Sequence, residues 1–181
     1  MRFRLISGIY GGRIIAVPNT TRTHPMGERV RSAMFNSLVG ALEGAHVLDA
    51  FAGSGSIGLE ALSRGARDVV FVERDRAAQR TITENIALLG VESNTKLVSA
   101  PVASFAKTYT GELFDLIFAD PPYKDEQFST VSALFRLLKP GATMVLSHSG
   151  RGERPIRSNE IVVVDNRSYG NANLAFFRRV E

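Results

Sequence analysis

The sequence predicts an α/β fold: a mostly parallel, doubly wound sheet with helices on both faces, plus an N-terminal β-hairpin and helix extension. Three observations carry that prediction. From residue 46 onward, short and continuously apolar runs alternate with amphipathic stretches, as parallel strands buried on both faces alternate with crossover helices. The first apolar run ends in a glycine-rich turn, Gly53-Ser54-Gly55-Ser56-Ile57-Gly58, where doubly wound sheets place their ligands. The final stretch holds two apolar runs either side of Arg167-Ser168-Tyr169-Gly170-Asn171, which reads as an antiparallel hairpin closing one edge. Five parallel strands and this hairpin make a Rossmann-like sheet of seven.

The elements follow in chain order. Residues 2–7 and 13–17 read as short strands around Gly11 and Gly12, a hairpin signal. A loop with Pro18, Asn19 and Pro25 leads to a helix over 28–42, with Val30, Met34, Leu38 and Leu42 on one face. Strands are then expected at 47–51, at 69–72 ending on Glu73, more weakly at 96–98, at 114–119 and at 143–146. Helices are expected at 57–64, 77–89 and 131–138, and the closing strands at 160–165 and 172–178. A boundary after residue 44 divides an N-terminal extension, 1–44, from the sheet domain, 45–181.

Composition narrows the partners. The 181 residues carry net charge +4, with eighteen arginines against four lysines. Arginine binds phosphate through a planar bidentate fork, so this balance fits a polyanion. There is no cysteine, hence no disulfide and no thiolate metal site. His24, His46 and His148 show no ligand spacing, and no metal is expected. Met1-Arg2-Phe3-Arg4 lacks the apolar stretch of a signal peptide and no run has the length of a membrane span. A cytoplasmic protein without membrane attachment is the expectation.

The glycine turn begins Asp49-Ala50-Phe51-Ala52. Gly53 and Gly55 let backbone approach a ligand, and Gly58 allows helix and strand to pack closely. Glu73, ending the second parallel strand, can accept hydrogen bonds from both ribose hydroxyls. The pattern also satisfies the dinucleotide fingerprint, so a nicotinamide enzyme stays open here. Asp49 argues the other way, since a carboxylate opposes pyrophosphate but suits a cation. S-adenosylmethionine carries an ammonium and a sulfonium and no phosphate. The expected cofactor site is Asp49, Phe51, Ala52, Gly53, Ser54, Gly55, Gly58, Glu73, Arg74 and Asp120.

Asp120-Pro121-Pro122-Tyr123 directly follows the fourth parallel strand. The prolines fix φ and donate no hydrogen bond, holding nearby carbonyls outward as acceptors. With the Asp120 carboxylate, such a corner can accept both hydrogens of an exocyclic NH₂. Tyr123 offers a face for base stacking, worth about 1–3 kcal/mol. These four residues are the expected catalytic corner, and without cysteine the usual covalent route to ring-carbon methylation is closed.

With both half-sites in view, the chain resembles the bacterial 16S rRNA guanine-N2-methyltransferase family of RsmD type, class I S-adenosylmethionine-dependent enzymes. The resemblance runs from Ile6-Ser7-Gly8 and Gly11-Gly12-Arg13 through the helix Glu28-Arg29-Val30-Arg31-Ser32-Ala33-Met34-Phe35-Asn36, the glycine turn, residues 58–66, Ala119-Asp120-Pro121-Pro122-Tyr123 and Tyr169-Gly170. It implies methylation of one guanine of small-subunit rRNA, within an assembling particle; a monomer is expected. The chain departs from the family at 24–28, at Ser32, at Pro101 and at Leu146-Ser147-His148. With Pro101 where the family often has Asp or Asn, adenine recognition falls to backbone such as the Val102 amide. RNA contacts are expected from Arg2, Arg4, Arg13, Arg22, His24, Arg29, Arg31 and Asn36. The rivals are an adenine or cytosine amino-methyltransferase on DNA or other RNA, a protein-glutamine methyltransferase, and a non-catalytic RNA-binding assembly protein.

Overall fold

A computed structural model describes residues 2–19, 25–150 and 159–180. Strands β1 (Arg2–Arg4) and β2 (Ile14–Ala16) pair antiparallel. After α1 (Glu28–Asn36) and α2 (Val39–Leu42) come β3 (His46–Ala50), α3 (Ser56–Ser63), β4 (Asp68–Glu73), α4 (Arg76–Leu89) and β5 (Thr95–Ser99). Then follow α5 (Val102–Thr108), β6 (Phe114–Ala119), α6 (Phe128–Leu134), β7 (Leu138–His148), β8 (Ile161–Tyr169) and β9 (Ala172–Arg179). The main sheet has seven strands in the order β5-β4-β3-β6-β7-β9-β8. The first five are parallel and β9 and β8 close the edge antiparallel. This is the Rossmann-like sheet the sequence predicts.

Every residue of β3 is buried and β4 is nearly so, which is why these strands read as unbroken apolar runs. Alternation along β3 sends Val47 to one core layer, with Phe71, Phe118 and Val145, and Leu48 to the other, with Ile117, Met144 and Phe177. The first layer also takes Leu5, Ile15, Met34 and Phe35 from the hairpin and α1, and Leu38 just beyond them. The N-terminal segment therefore shares one core with the sheet.

Polar side chains fasten that segment. Glu60 of α3 is fully buried and accepts from the amides of Ile6 at 2.7 Å and Ser7 at 3.1 Å, and from Arg64 Nε at 2.8 Å. Asn85 of α4 mimics a strand neighbour for β2. Its Oδ1 accepts from the Ala16 amide at 2.8 Å, and its Nδ2 donates to the Ala16 carbonyl at 2.9 Å and the Ser54 carbonyl at 3.0 Å.

Several element boundaries differ from expectation. The helix over 28–42 breaks after Asn36, where the Ser37 hydroxyl donates back to the Ala33 carbonyl and Leu38 leaves helical geometry. Helix α5 carries only three buried residues and no side-chain cap, too little periodicity to announce itself. The helix expected at 131–138 starts at Phe128, tightens to a 3-10 turn at Phe135–Leu137 and yields to β7 at Leu138. Pro140 and Gly141 hide the start of that strand, whose pairing with β6 is irregular between Phe114 and Leu116. Arg167 and Ser168 lie within β8, so the closing turn is shorter than expected.

Candidate active site

Strand order reverses beside β3, which has β4 on one side and β6 on the other. Ala50 pairs with Val72 and with Ala119. The glycine turn after β3, Glu73 at the end of β4 and Asp120 after β6 therefore share one rim. Sequence motifs separated by some seventy residues are brought together as a single site.

The turn is built from unusual backbone. Gly53 and Gly55 have φ of 58° and 78°, and Phe51 has φ 61°. For a bulky side chain that conformation is strained, and such strain concentrates at functional sites. A Cβ on Gly58 would lie 2.4 Å from the Phe71 ring and 2.8 Å from Val69, so the residue is demanded by helix–strand contact. Asp49 is fully buried beneath the turn and accepts from the Gly58 amide at 2.9 Å. Burial pushes its pKa well up; Asp120 and Glu73 push it further, against the Gly58 hydrogen bond. It positions α3 from below rather than presenting a carboxylate at the surface. Glu73 accepts from the Gly53 amide at 2.8 Å through one oxygen and from the Asp75 amide at 2.8 Å through the other. It locks the turn, and each oxygen keeps a lone pair for a ribose hydroxyl. Ala52 and Ser54 are buried in the turn, and Arg74 is exposed just beyond Glu73. Val102 opens α5 without a side-chain cap, so its amide has no partner within the helix.

At the other half-site, burial pushes the Asp120 pKa up to about 6, while a hydrogen bond from Ser147 pulls it down. Ser147, at the end of β7, is buried and lies 3.0 Å from the Tyr123 hydroxyl. A hydroxyl has one proton to give. With Asp120 ionised, Tyr123 donates to Ser147 and Ser147 donates to the carboxylate. Tyr123 is thus anchored at its hydroxyl while 42% of the residue stays exposed. Pro122's carbonyl is taken by the Asp125 amide at 2.8 Å. Among the described residues the Asp120 and Pro121 carbonyls have no hydrogen-bond donor, leaving two acceptors beside the carboxylate. Glu126 accepts from the Ser149 amide and ties the corner loop to the end of β7.

Sequence reasoning missed Ser147 and Asn85. Neither carries a local signal: Ser147 is one of two polar residues, with His148, that end β7. The expected RNA contacts divide. Arg4, Arg13, Arg29 and Asn36 are exposed, with Arg4 held 2.8 Å from Glu28 and Asn36 accepting from Arg64 at 3.2 Å. Arg2 lies on β1. Arg22 and His24 fall outside the described residues. The reading of Arg31 is corrected. Its guanidinium is fully buried, sits 4.5 Å from the Phe3 ring centroid, donates to the Arg4 carbonyl at 2.7 Å and has its pKa lowered by desolvation. It braces hairpin against helix and cannot reach a phosphate. Among the described residues no cluster of His, Asp or Glu could hold a metal ion, and no helix is long and apolar enough to cross a membrane.

Comparisons with known proteins agree with this architecture. Residues 3–178 match the model of a family described as Conserved hypothetical protein 95. The chain is 31% identical to YlbH of Bacillus subtilis over 97% of its own length and 98% of that protein's. It is 35% identical to Ribosomal RNA small subunit methyltransferase D of Haemophilus influenzae, covering 77% of this chain and 75% of that one. The solved structure of YhhF from Escherichia coli superposes with a TM-score of 0.89 at 29% identity, covering 99% of both chains. With a family model spanning nearly its whole length and these relatives, the chain belongs to the RsmD family of methyltransferases.

Proposed function

We propose that this protein methylates the exocyclic 2-amino group of a guanine in 16S rRNA, holding the base amine at Asp120-Pro121-Pro122-Tyr123. S-adenosylmethionine is the methyl donor. The observation that carries the reading is the pairing of Ala50 with Ala119, which sets the glycine turn and the acceptor corner side by side. The residues present fit that donor. Glu73 and Asp120 stand at the rim, near enough to Asp49 buried beneath the turn to raise its pKa. Such a pocket favours a cationic nucleoside and repels pyrophosphate, against the dinucleotide reading. Glu73 would meet the ribose, the turn from Phe51 to Gly55 the amino-acid portion, and the Val102 amide the adenine.

The donor's sulfonium supplies an activated methyl group, so the chain's task is placement. Asp120 and the free carbonyls accept the two amine hydrogens, aiming the nitrogen lone pair away from the corner and toward the glycine turn. Holding reacting atoms in line removes several kcal/mol of barrier, order of magnitude. Asp120 also stabilises the positive charge that develops on nitrogen, and the proton lost afterwards can pass to it. Tyr123, tethered through Ser147, stacks on the base.

In this reading residues 1–44 form an RNA-binding extension, with Arg4, Arg13 and Arg29 at its surface. The enzyme acts as a monomer in the cytoplasm, on an assembling small subunit. Incubating the protein with labelled cofactor and under-methylated small subunits, then mapping the modified base, tests it. Label on one 16S guanine N2, absent with Asp120→Ala, is the expected result. Label on adenine, on cytosine or on protein would overturn it.

A further inference from the structure

A concave feature among the described residues lies outside the glycine turn and the corner. An open groove of about 490 Å³ runs between α4 and β5, lined by Arg76, Gln79, Arg80 and Thr83 on one side and by Leu97 and Ser99 on the other. Its mouth is at the active-site rim, since Ser99 ends β5 and Arg76 begins α4 three residues after Glu73. Glu84, one turn beyond Arg80, also lines it and makes its far end less welcoming to anions.

Several of the molecule's arginines are already engaged. Arg4, Arg64, Arg67 and Arg167 pair with carboxylates, and Arg136 and Arg179 donate to backbone carbonyls. Arg76 and Arg80 form no ion pair with any described residue. Their placement also works against the helix. They stand four residues apart on one face, where like charges repel. Both lie in the first half of α4, where Asp75 caps the N-terminus and accepts from the Ala78 amide but no acidic residue follows in the first turn, although the helix dipole favours negative charge there. A guanidinium pair set against its own helix, in a groove with two neutral hydrogen-bonding side chains, is arranged for an incoming anion.

We infer that this groove seats backbone phosphates of the substrate RNA flanking the target nucleotide. The inference rests on RNA being the substrate. The groove lies beside β5, three strands from β6 in the sheet order, hence about 14 Å from the corner at the usual strand spacing. A strand whose target base enters the corner can lay nearby phosphates there. Arg76 and Arg80 then hold the backbone while the rim takes the base.

The test compares wild type, Arg76→Gln/Arg80→Gln, and Lys107→Gln/Arg178→Gln, which removes the same charge from exposed positions elsewhere. Binding of unmodified 16S rRNA transcript is measured across a salt series, with cofactor affinity by calorimetry and thermal unfolding alongside. The groove variant should bind RNA roughly tenfold more weakly at low salt, with a log–log salt slope shallower by about 1.4 for two single-strand contacts. Its cofactor affinity should be unchanged and its Tm equal or higher, and the control should bind like wild type. Equal weakening in both variants, or wild-type binding by the groove variant, would overturn the inference. So would a lowered Tm, which would mark the groove as structural. Wild-type protein that binds this RNA but methylates no base in under-methylated small subunits would instead fault the proposed function.

Discussion

Replacing Asp120 with asparagine separates what the residue costs the fold from what it does for catalysis. Burial raises its carboxyl from an ordinary 3.8 to about 6. The folded protein thus takes up this proton more readily than the unfolded chain does. Ionising Asp120 therefore destabilises the fold, by nothing below pH ~4, progressively between ~4 and ~6, and fully above. Two pH units at about 1.4 kcal/mol each put the full penalty at about 3 kcal/mol, an upper bound because Asp120 keeps some contact with solvent. Asparagine has the same shape, still accepts from Ser147 and carries no charge. Denaturant unfolding should show Asp120→Asn more stable than wild type at pH ~8, by up to about 3 kcal/mol, with the gap closing toward pH ~4. Methyl transfer should fall roughly a hundredfold or more, because the amide turns a donor toward the amine and cannot balance positive charge on it. Wild-type kcat/KM should fall tenfold per pH unit below about 6. A variant that keeps full activity, or whose stability tracks wild type at every pH, would refute the reasoning.

Three other substitutions probe the surrounding frame. Ser147→Ala removes the hydrogen bond that lowers Asp120's pKa, so the acid limb of the kcat/KM profile should move to higher pH; an unmoved limb would show that Ser147 does not govern that carboxyl. Gly58→Ala drives a methyl into Phe71 and Val69 and should cost about 1–3 kcal/mol in denaturant unfolding, with weaker cofactor binding by calorimetry. Glu60→Ala strands the Ile6 and Ser7 amides and unpairs Arg64. It should cost about 3–5 kcal/mol, and hydrogen exchange at those two amides should accelerate even where the rest of the sheet stays protected.

How far the sequence could be read depended on the range of the interactions. The parallel strands were legible because a strand buried on both faces must be apolar throughout, a property of five or six adjacent residues. The glycine turn and Asp120-Pro121-Pro122-Tyr123 were legible for the same reason, each packing its chemistry into one local segment. Arg31 was misread because α1 alone makes it one more basic helical residue. Phe3 and the Arg4 carbonyl, brought over by the hairpin, turn it inward, with the Met26 carbonyl as a further partner. Ser147 meets Tyr123 across 24 residues, and Asn85 meets Ala16 across 69. Neither has a local signature, since a serine or an asparagine is as common on a solvated face as in such a clamp. Asn85 is nevertheless where the extension and the catalytic rim become one structure. One amide holds both the β2 backbone and the Ser54 carbonyl of the glycine turn. Whatever displaces β2 must strain or break bonds that also hold the turn, so the extension proposed to grip RNA is mechanically joined to the loop that would grip the methyl donor.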